Sequence, residues 1–399
     1  MYRPKSMLLP LCLLLVLFML SPETRTVKAV SATLARTRAA CGSWKVVPSP
    51  SPGSNSQDLS GVAAISSNNV SAVGYEDTQD LTEQWNGTQW SVIRSPGPGK
   101  GGNVLNAAAL VPGSSQLWAV GYFYKLAGYK FTLTKRWNGT TWVTVGSPNP
   151  NKGKGDNELD GVAAIAANDV WAVGDAENAS FAQNTLTERW NGTQWSIVKS
   201  PNPGGAAGAP HYLYAVAAVS SNDVWAVGSD LNASNETQTL ILHWDGTSWS
   251  VVQSPNVGPY ANELLAVTAV SSNDVWAVGD YLSARVHTFQ TLVEHWDGTS
   301  WSVVQSPDAS SIDNYLSGVA AVSANDIWAV GDYTTPSILE KTLVEHWDGT
   351  SWSVVQSPNV GEANSLTAVV SVPGTRELWA VGSYGNSGGI SQTLTEHYC

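Results

Sequence analysis

The sequence predicts an all-β protein: a seven-bladed β-propeller with four antiparallel strands per blade, its ring closed by an N-terminal outer strand in the last blade. Three observations predict it. A unit of about fifty residues recurs seven times, marked by the tryptophans that open its last strand: Trp44, Trp90, Trp142, Trp195, Trp249, Trp301 and Trp352, spaced 46, 52, 53, 54, 52 and 51 residues apart. Each period holds four short apolar runs, the signature of one propeller blade. The chain opens on a lone last run, and its final unit lacks that run.

Taken in order, the chain begins with Arg3 and Lys5, an apolar run at 7–20, and small residues at 27–32. This reads as a signal peptide over 1–29, since the run is short for a membrane span. A short segment, 30–40, follows, and the propeller covers 41–399. No stable membrane anchor is expected after cleavage, and the protein is expected to be secreted and monomeric. The formal net charge is −12, which argues against a nucleic-acid partner, because phosphate binding needs clustered Lys and Arg.

Residues 161–201 show the four runs of one unit. Strand A is GVAAI (161–165), and an AAND turn leads to strand B, VWAVG (170–174). A variable loop precedes strand C, TLTERW (185–190). The NGTQ turn then leads to strand D, WSIV (195–198). β-Branched and aromatic residues fill the runs, and Asn, Gly, Asp, Ser and Pro fill the gaps. Asn-Gly and Asp-Gly are strong hairpin signals because Gly accepts positive φ. The sequence LVEHWDGTSWSVVQSP is repeated without change at 292–307 and 343–358. Strand B carries Trp in six units and Ser71 in the first. A Trp facing the small residues of the next blade would fill space at interior density.

The pairing of VWAVGD with TLVEHWDGTSW resembles a kelch-type repeat over 41–399, with one Gly in place of the paired glycines and Trp in place of Tyr. The resemblance implies that strand A is innermost and strand D outermost, and it implies no particular function.

CGSWKVV (41–47) is a D strand without A, B or C, and the chain ends on a C strand, TLTEHY (393–398). Aligning both ends to the C–D turn puts Cys399 where Asp348 stands and Cys41 where Gly349 stands. The two cysteines fall at adjacent turn positions with no peptide bond between them, and a Cys41–Cys399 disulfide is expected to replace that bond.

Connectivity places the A–B and C–D turns on one face and the B–C and D–A loops on the other. The first set is repetitive, whereas the second differs in every unit and holds eleven of the thirteen tyrosines. Tyr75, Tyr122, Tyr124, Tyr281, Tyr333 and Tyr384, with Asp175, Asp230, Asp280 and Asp332, are the candidate ligand-binding residues. Tyr and acids on loops over a rigid scaffold suit recognition. Asp175, Asp280 and Asp332 follow the strand B Gly, and their recurrence there points to a turn role. His243, His295, His346 and His397 share one strand C position that holds Gln or Arg in other units, so they read as surface structure. There is no HExxH, clustered Cys/His or G-x-S-x-G, and no cofactor or metal is expected. The reading is a secreted, non-catalytic module that binds an extracellular glycan or protein ligand on the variable face. The alternative is a glycoside hydrolase-like enzyme using carboxylates at the central mouth.

Overall fold

The computed structural model describes residues 42–99, 101–125, 128–152, 154–204 and 208–399. The expected signal peptide, the 30–40 segment and Cys41 lie outside the described residues. Among the described residues there are 28 strands and no helix, arranged as seven four-stranded sheets with antiparallel neighbours throughout. β1 (Trp44–Val46) forms the outer edge of the seventh sheet. It pairs with β28 (Ser391–Tyr398), followed inward by β27 (Leu378–Gly385) and β26 (Asn364–Ser371). The register sets Trp44 against Tyr398, as Trp352 stands against Trp347. The Cys399 amide meets the Ser43 carbonyl at 3.4 Å, just as the Asp348 amide meets that of Ser351 at 3.3 Å. Cys399 therefore occupies the turn position expected from alignment.

Blade 3 shows why these residues form these elements. It consists of β10 (Asn157–Ala166), β11 (Asp169–Glu177), β12 (Gln183–Trp190) and β13 (Trp195–Ile197). In the β12–β13 turn, Gly192 has φ +97°. The Asn191 side chain accepts hydrogen bonds from the Thr193 and Gln194 amides and from the Thr193 hydroxyl, so the turn satisfies its own backbone.

Strands A, B and C run longer than the sequence predicts, all towards the variable face. The cause is a bulge in strand A between Leu159 and Gly161. The extra residue breaks the period-two pattern, so NELD (157–160) reads as loop although it is strand. Opposite the bulge, a Cβ on Gly174 would lie 2.1 Å from the Glu158 carbonyl oxygen. That contact explains the single Gly closing VWAVG: only glycine lets the strand B backbone come so close.

The blades pack through tryptophan. Trp171 of blade 3 is fully buried and lies 4.9 Å from Trp244 and 5.2 Å, edge-on, from Trp249 of the next blade. It shares a cluster with Ala226 of that blade, so the large residue fills the space over the small one. Corresponding ring triads join six of the seven seams. The exception lies between blade 1, which comprises β2 (Gln57–Ser66), β3 (Asn69–Glu76), β4 (Gln79–Trp85) and β5 (Trp90–Val92), and blade 2. Blade 2 comprises β6 (Asn103–Leu110), β7 (Leu117–Tyr124), β8 (Lys130–Trp137) and β9 (Trp142–Val145). There Ser71 replaces the Trp and is buried with its hydroxyl unpartnered.

Strand C also carries buried charge-bearing groups. Glu83, Glu188, Glu294, Glu345 and Glu396 are buried. In four cases a Ser from the preceding blade donates to the carboxyl: Ser147 to Glu188 at 2.6 Å, Ser254 to Glu294 at 2.7 Å, Ser306 to Glu345 at 2.5 Å and Ser357 to Glu396 at 2.6 Å. Burial, as the leading cause, pushes the first four acids of the five up to about 8 and Glu396 to about 7. Blade 4 has Leu242 in this place, and blade 2 has Lys135. Lys135 is buried, 2.5 Å from the buried Asp80 of blade 1 and 2.6 Å from the Ser95 hydroxyl.

Candidate functional site

All ten candidate residues stand on strand B, beyond its glycine or at its outer end, and not in the B–C loops. The expected turn role of Asp175, Asp280 and Asp332 is thereby corrected. Because the strand A bulge lets both strands continue, these acids sit in β11, β19 (Asp274–Leu282) and β23 (Asp326–Thr334). They pair across the sheet with Glu158, Glu263 and Tyr315 of strand A.

Three of the tyrosines come together. Tyr75 from β3, and Tyr122 and Tyr124 from β7, line a groove of about 320 Å³ between blades 1 and 2, with Asp77, Thr78, Gly101, Gly102, Asn103 and Val104. Tyr122 and Tyr124 meet edge to face, 5.5 Å between centroids at 83°. Asp77 stands at the rim with φ +51°. Its carboxylate accepts the amides of Asn55 at 2.8 Å, Ser54 at 3.2 Å and Ser56 at 3.2 Å, and the Ser54 hydroxyl at 3.1 Å. These bonds, that from Asn55 foremost, hold it down at about 2, so it is ionised at any working pH.

The remaining candidates lie elsewhere on the same face. The Tyr281 hydroxyl donates to Gln290 at 2.8 Å. Tyr281, Tyr333 and Tyr384 each pack partly buried on a blade core. Asp230 pairs in register with His211, and burial raises it to about 6.

Beside the groove is an acidic central mouth, and four of its seven acids come from strand A, which sequence reasoning missed. Asp58, Glu158, Asp160 and Glu263 alternate with the fully buried Leu59, Leu159 and Leu264. That recurring x-Leu-x pattern before the Gly-Val or Ala-Val pair is the signal that would have found them. Desolvation is the leading cause of every shift here. Asp175 is raised to about 7 with help from Glu158, and Asp280 to about 8 with help from Glu263 and Asp332. Asp58 and Asp332 rise to about 6, each restrained by a serine hydroxyl, Ser383 at 2.9 Å and Ser365 at 2.8 Å. Asp160 is also raised, and Asn106 donates to it at 2.9 Å and to Glu158 at 3.2 Å. Among the described residues one lysine pairs with this cluster: Lys130 pairs with Glu158 and lies 4.3 Å from the ring centroid of Tyr122. Below the mouth, strand A residues of all seven blades line a recess of about 250 Å³.

Among the described residues no group of His, Cys, Asp and Glu could hold a metal. His243, His295 and His346 are half-buried anchors. Each lies 2.9 Å from the Asp that opens strand B of its own blade, and 4.1–4.2 Å from the strand B tryptophan. The role was legible as structural, but the partner, the Asp of the NDVW turn, was not foreseen.

No protein-family model and no curated protein matches the chain. Among solved structures it is similar to "YCF48 bound to D1 peptide", with 11% identity and a TM-score of 0.54, covering 90% of this chain and 97% of that one. It is also similar to the WD40 β-propeller domain of Doa1, with 13% identity and a TM-score of 0.55, covering 88% and 96%. At these identities the likeness shows the propeller fold alone. The kelch resemblance stays one of repeat pattern.

Proposed function

We propose that the chain is an exported, non-catalytic recognition module whose variable face takes an extracellular ligand, with a peptide segment of a protein partner as the first candidate and a glycan as the second. The observation that carries this reading is the convergence of Tyr75, Tyr122 and Tyr124 in one groove. The groove lies on the face where every blade differs, while the opposite face carries the repetitive A–B and C–D turns. Rigid aromatic groups held on strands give contact area at little entropic cost. The peptide held by the similar YCF48 structure lends support by analogy of fold. The export reading rests on residues 1–29, and a Cys41–Cys399 disulfide belongs with it.

The test is binding of the oxidised, processed protein to arrays of peptides and of glycans, beside Tyr122→Ala. Saturable binding lost in the variant supports the reading. Binding unchanged by the variant puts the site elsewhere, and binding to neither array removes the recognition role.

The glycoside hydrolase-like alternative draws on one observation: Asp280, raised to about 8 chiefly by burial, faces Glu263 across the strand pair. A protonated acid beside a second carboxyl is the acid–base arrangement such enzymes use. Hydrolysis of a polysaccharide panel, abolished by Asp280→Asn, would establish it.

A further inference from the structure

We infer that the groove between blades 1 and 2 seats a lysine or arginine side chain of the protein partner, held against the tyrosine rings and neutralised by Asp77. This rests on the recognition reading and names the chemistry of its ligand.

Four observations carry it. Three tyrosines line the groove, and a cation over an aromatic ring is attracted by the ring quadrupole. The described groove-lining residues include no cation and one permanent anion, Asp77. The flanking mouth carries Asp58, Glu158, Asp160, Asp175 and Glu263, with Lys130 as the one lysine paired there among the described residues. Burial raises Asp58, Asp160, Asp175 and Glu263, so the pull of this face on a basic segment, and its repulsion of an acidic one, grows as pH rises and they ionise.

The fourth observation is that the protein already uses this chemistry twice in blade 2. Lys130 lies 4.3 Å from the Tyr122 ring while pairing with Glu158. Lys125 lies 4.0 Å from the Phe131 ring. Lys130 thus shows that a Tyr of this groove and a mouth carboxylate hold one ammonium together. Tyr75 and Tyr124 have no described cation on their rings, and Asp77 stands beside them as Glu158 stands beside Tyr122. The Asp77 carboxylate is held by neutral donors of residues 54–56, so it keeps a net negative charge that favours a cation and opposes an anionic glycan.

The test uses the full processed chain and five fluorescein-labelled peptides of one Gly/Ser/Tyr sequence, differing at the central residue: Lys, Arg, acetyl-lysine, Gln or Glu. Affinities are read by polarisation and by calorimetry, at two salt concentrations. Lys and Arg peptides are expected to bind about tenfold more tightly than the acetyl-lysine and Gln peptides, and the Glu peptide more weakly still. The preference should shrink as salt rises. Tyr75→Phe and Tyr124→Phe, which keep the ring and disturb folding least, should keep the preference. Tyr75→Leu and Tyr124→Leu should each reduce it several-fold, as should Asp77→Asn. Equal binding of the Lys and acetyl-lysine peptides overturns the inference, and so does a preference lost in the Phe variants or kept in the Leu variants. If other peptides or a glycan bind without any cationic preference, the inference fails and the recognition reading survives. If no peptide or glycan binds at all, both fail.

Discussion

Glu294→Leu tests whether the buried strand C acids set the protein's response to pH. Glu294 is 0% exposed. It takes one hydrogen bond, from Ser254 at 2.7 Å, and its other carboxyl oxygen has no partner. Burial pushes it from 4.5 to about 8, against the smaller pull of Ser254. Between those values the native state holds a proton that the unfolded chain has released. The folded pKa lies above the unfolded one, so the contribution is fully present below pH 4.5 and is lost as pH rises through 8. For one group the loss is about 1.4 kcal/mol per pH unit, or about 4 kcal/mol from pH 5 to pH 8. Leucine removes the titration, and Leu242 at the equivalent place in blade 4 shows that the fold accepts it. Urea unfolding followed by tryptophan fluorescence at pH 5, 6, 7 and 8 would compare the two proteins. Near pH 5 the variant should lie within about 1 kcal/mol of the parent, since it loses one neutral hydrogen bond and gains apolar burial. By pH 8 it should be the more stable protein by several kcal/mol. Parallel stability profiles from pH 5 to 8 would refute the reasoning, because they would mean that Glu294 ionises alike in both states.

Three further predictions concern the ring. Lys135→Met leaves Asp80 buried without its counter-ion and should cost about 3–5 kcal/mol. Lys135→Glu combined with Asp80→Thr restores the pair found at other seams and should recover most of that loss in thermal melts. Trp225→Ala empties the space against Trp296 and Trp301 and should cost about 3–5 kcal/mol, read from denaturant midpoints. Non-reducing peptide mapping should return Cys41 linked to Cys399, and two free thiols would remove the disulfide from the account.

The blade count, the strand order and the strand that completes the seventh sheet were legible because each rests on short-range chemistry repeated seven times. Asn191, Gly192 and Trp195 form a turn and strand start whose reasons are local. The site was legible only in part. Tyr75, Tyr122 and Tyr124 were picked out by composition, yet their meeting in one groove depends on the fit of two blades. Tyr281, Tyr333 and Tyr384 have the same composition and pack on separate cores instead. Glu158 and Asp160 were hidden because the bulge before Gly161 breaks the alternation that marks a strand. The buried glutamates were hidden because their partners are serines about forty residues away in the preceding blade.

Three deviations from the repeat coincide at one seam, although Leu242 also replaces the strand C glutamate in blade 4. Between blades 1 and 2 the strand B tryptophan is Ser71, and the strand C glutamate is Lys135. The threonine that faces serine elsewhere is Asp80, and the tyrosine groove opens above the same junction. Six seams follow one packing rule, and that rule is stable, since it buries three rings with their neighbours at each junction. Exchanging a ring for a serine and a buried ion pair sacrifices apolar packing for desolvated charge, which on energetic grounds is no better than neutral. A repeat protein keeps such a seam at a cost in stability, and local rules are expected to be broken where a function draws on the break. Single exceptions occur elsewhere, as Leu242 does in blade 4, but three coincide at this junction. Their coincidence at the junction of Tyr75, Tyr122 and Tyr124 is the packing argument for placing the proposed ligand contacts on blades 1 and 2.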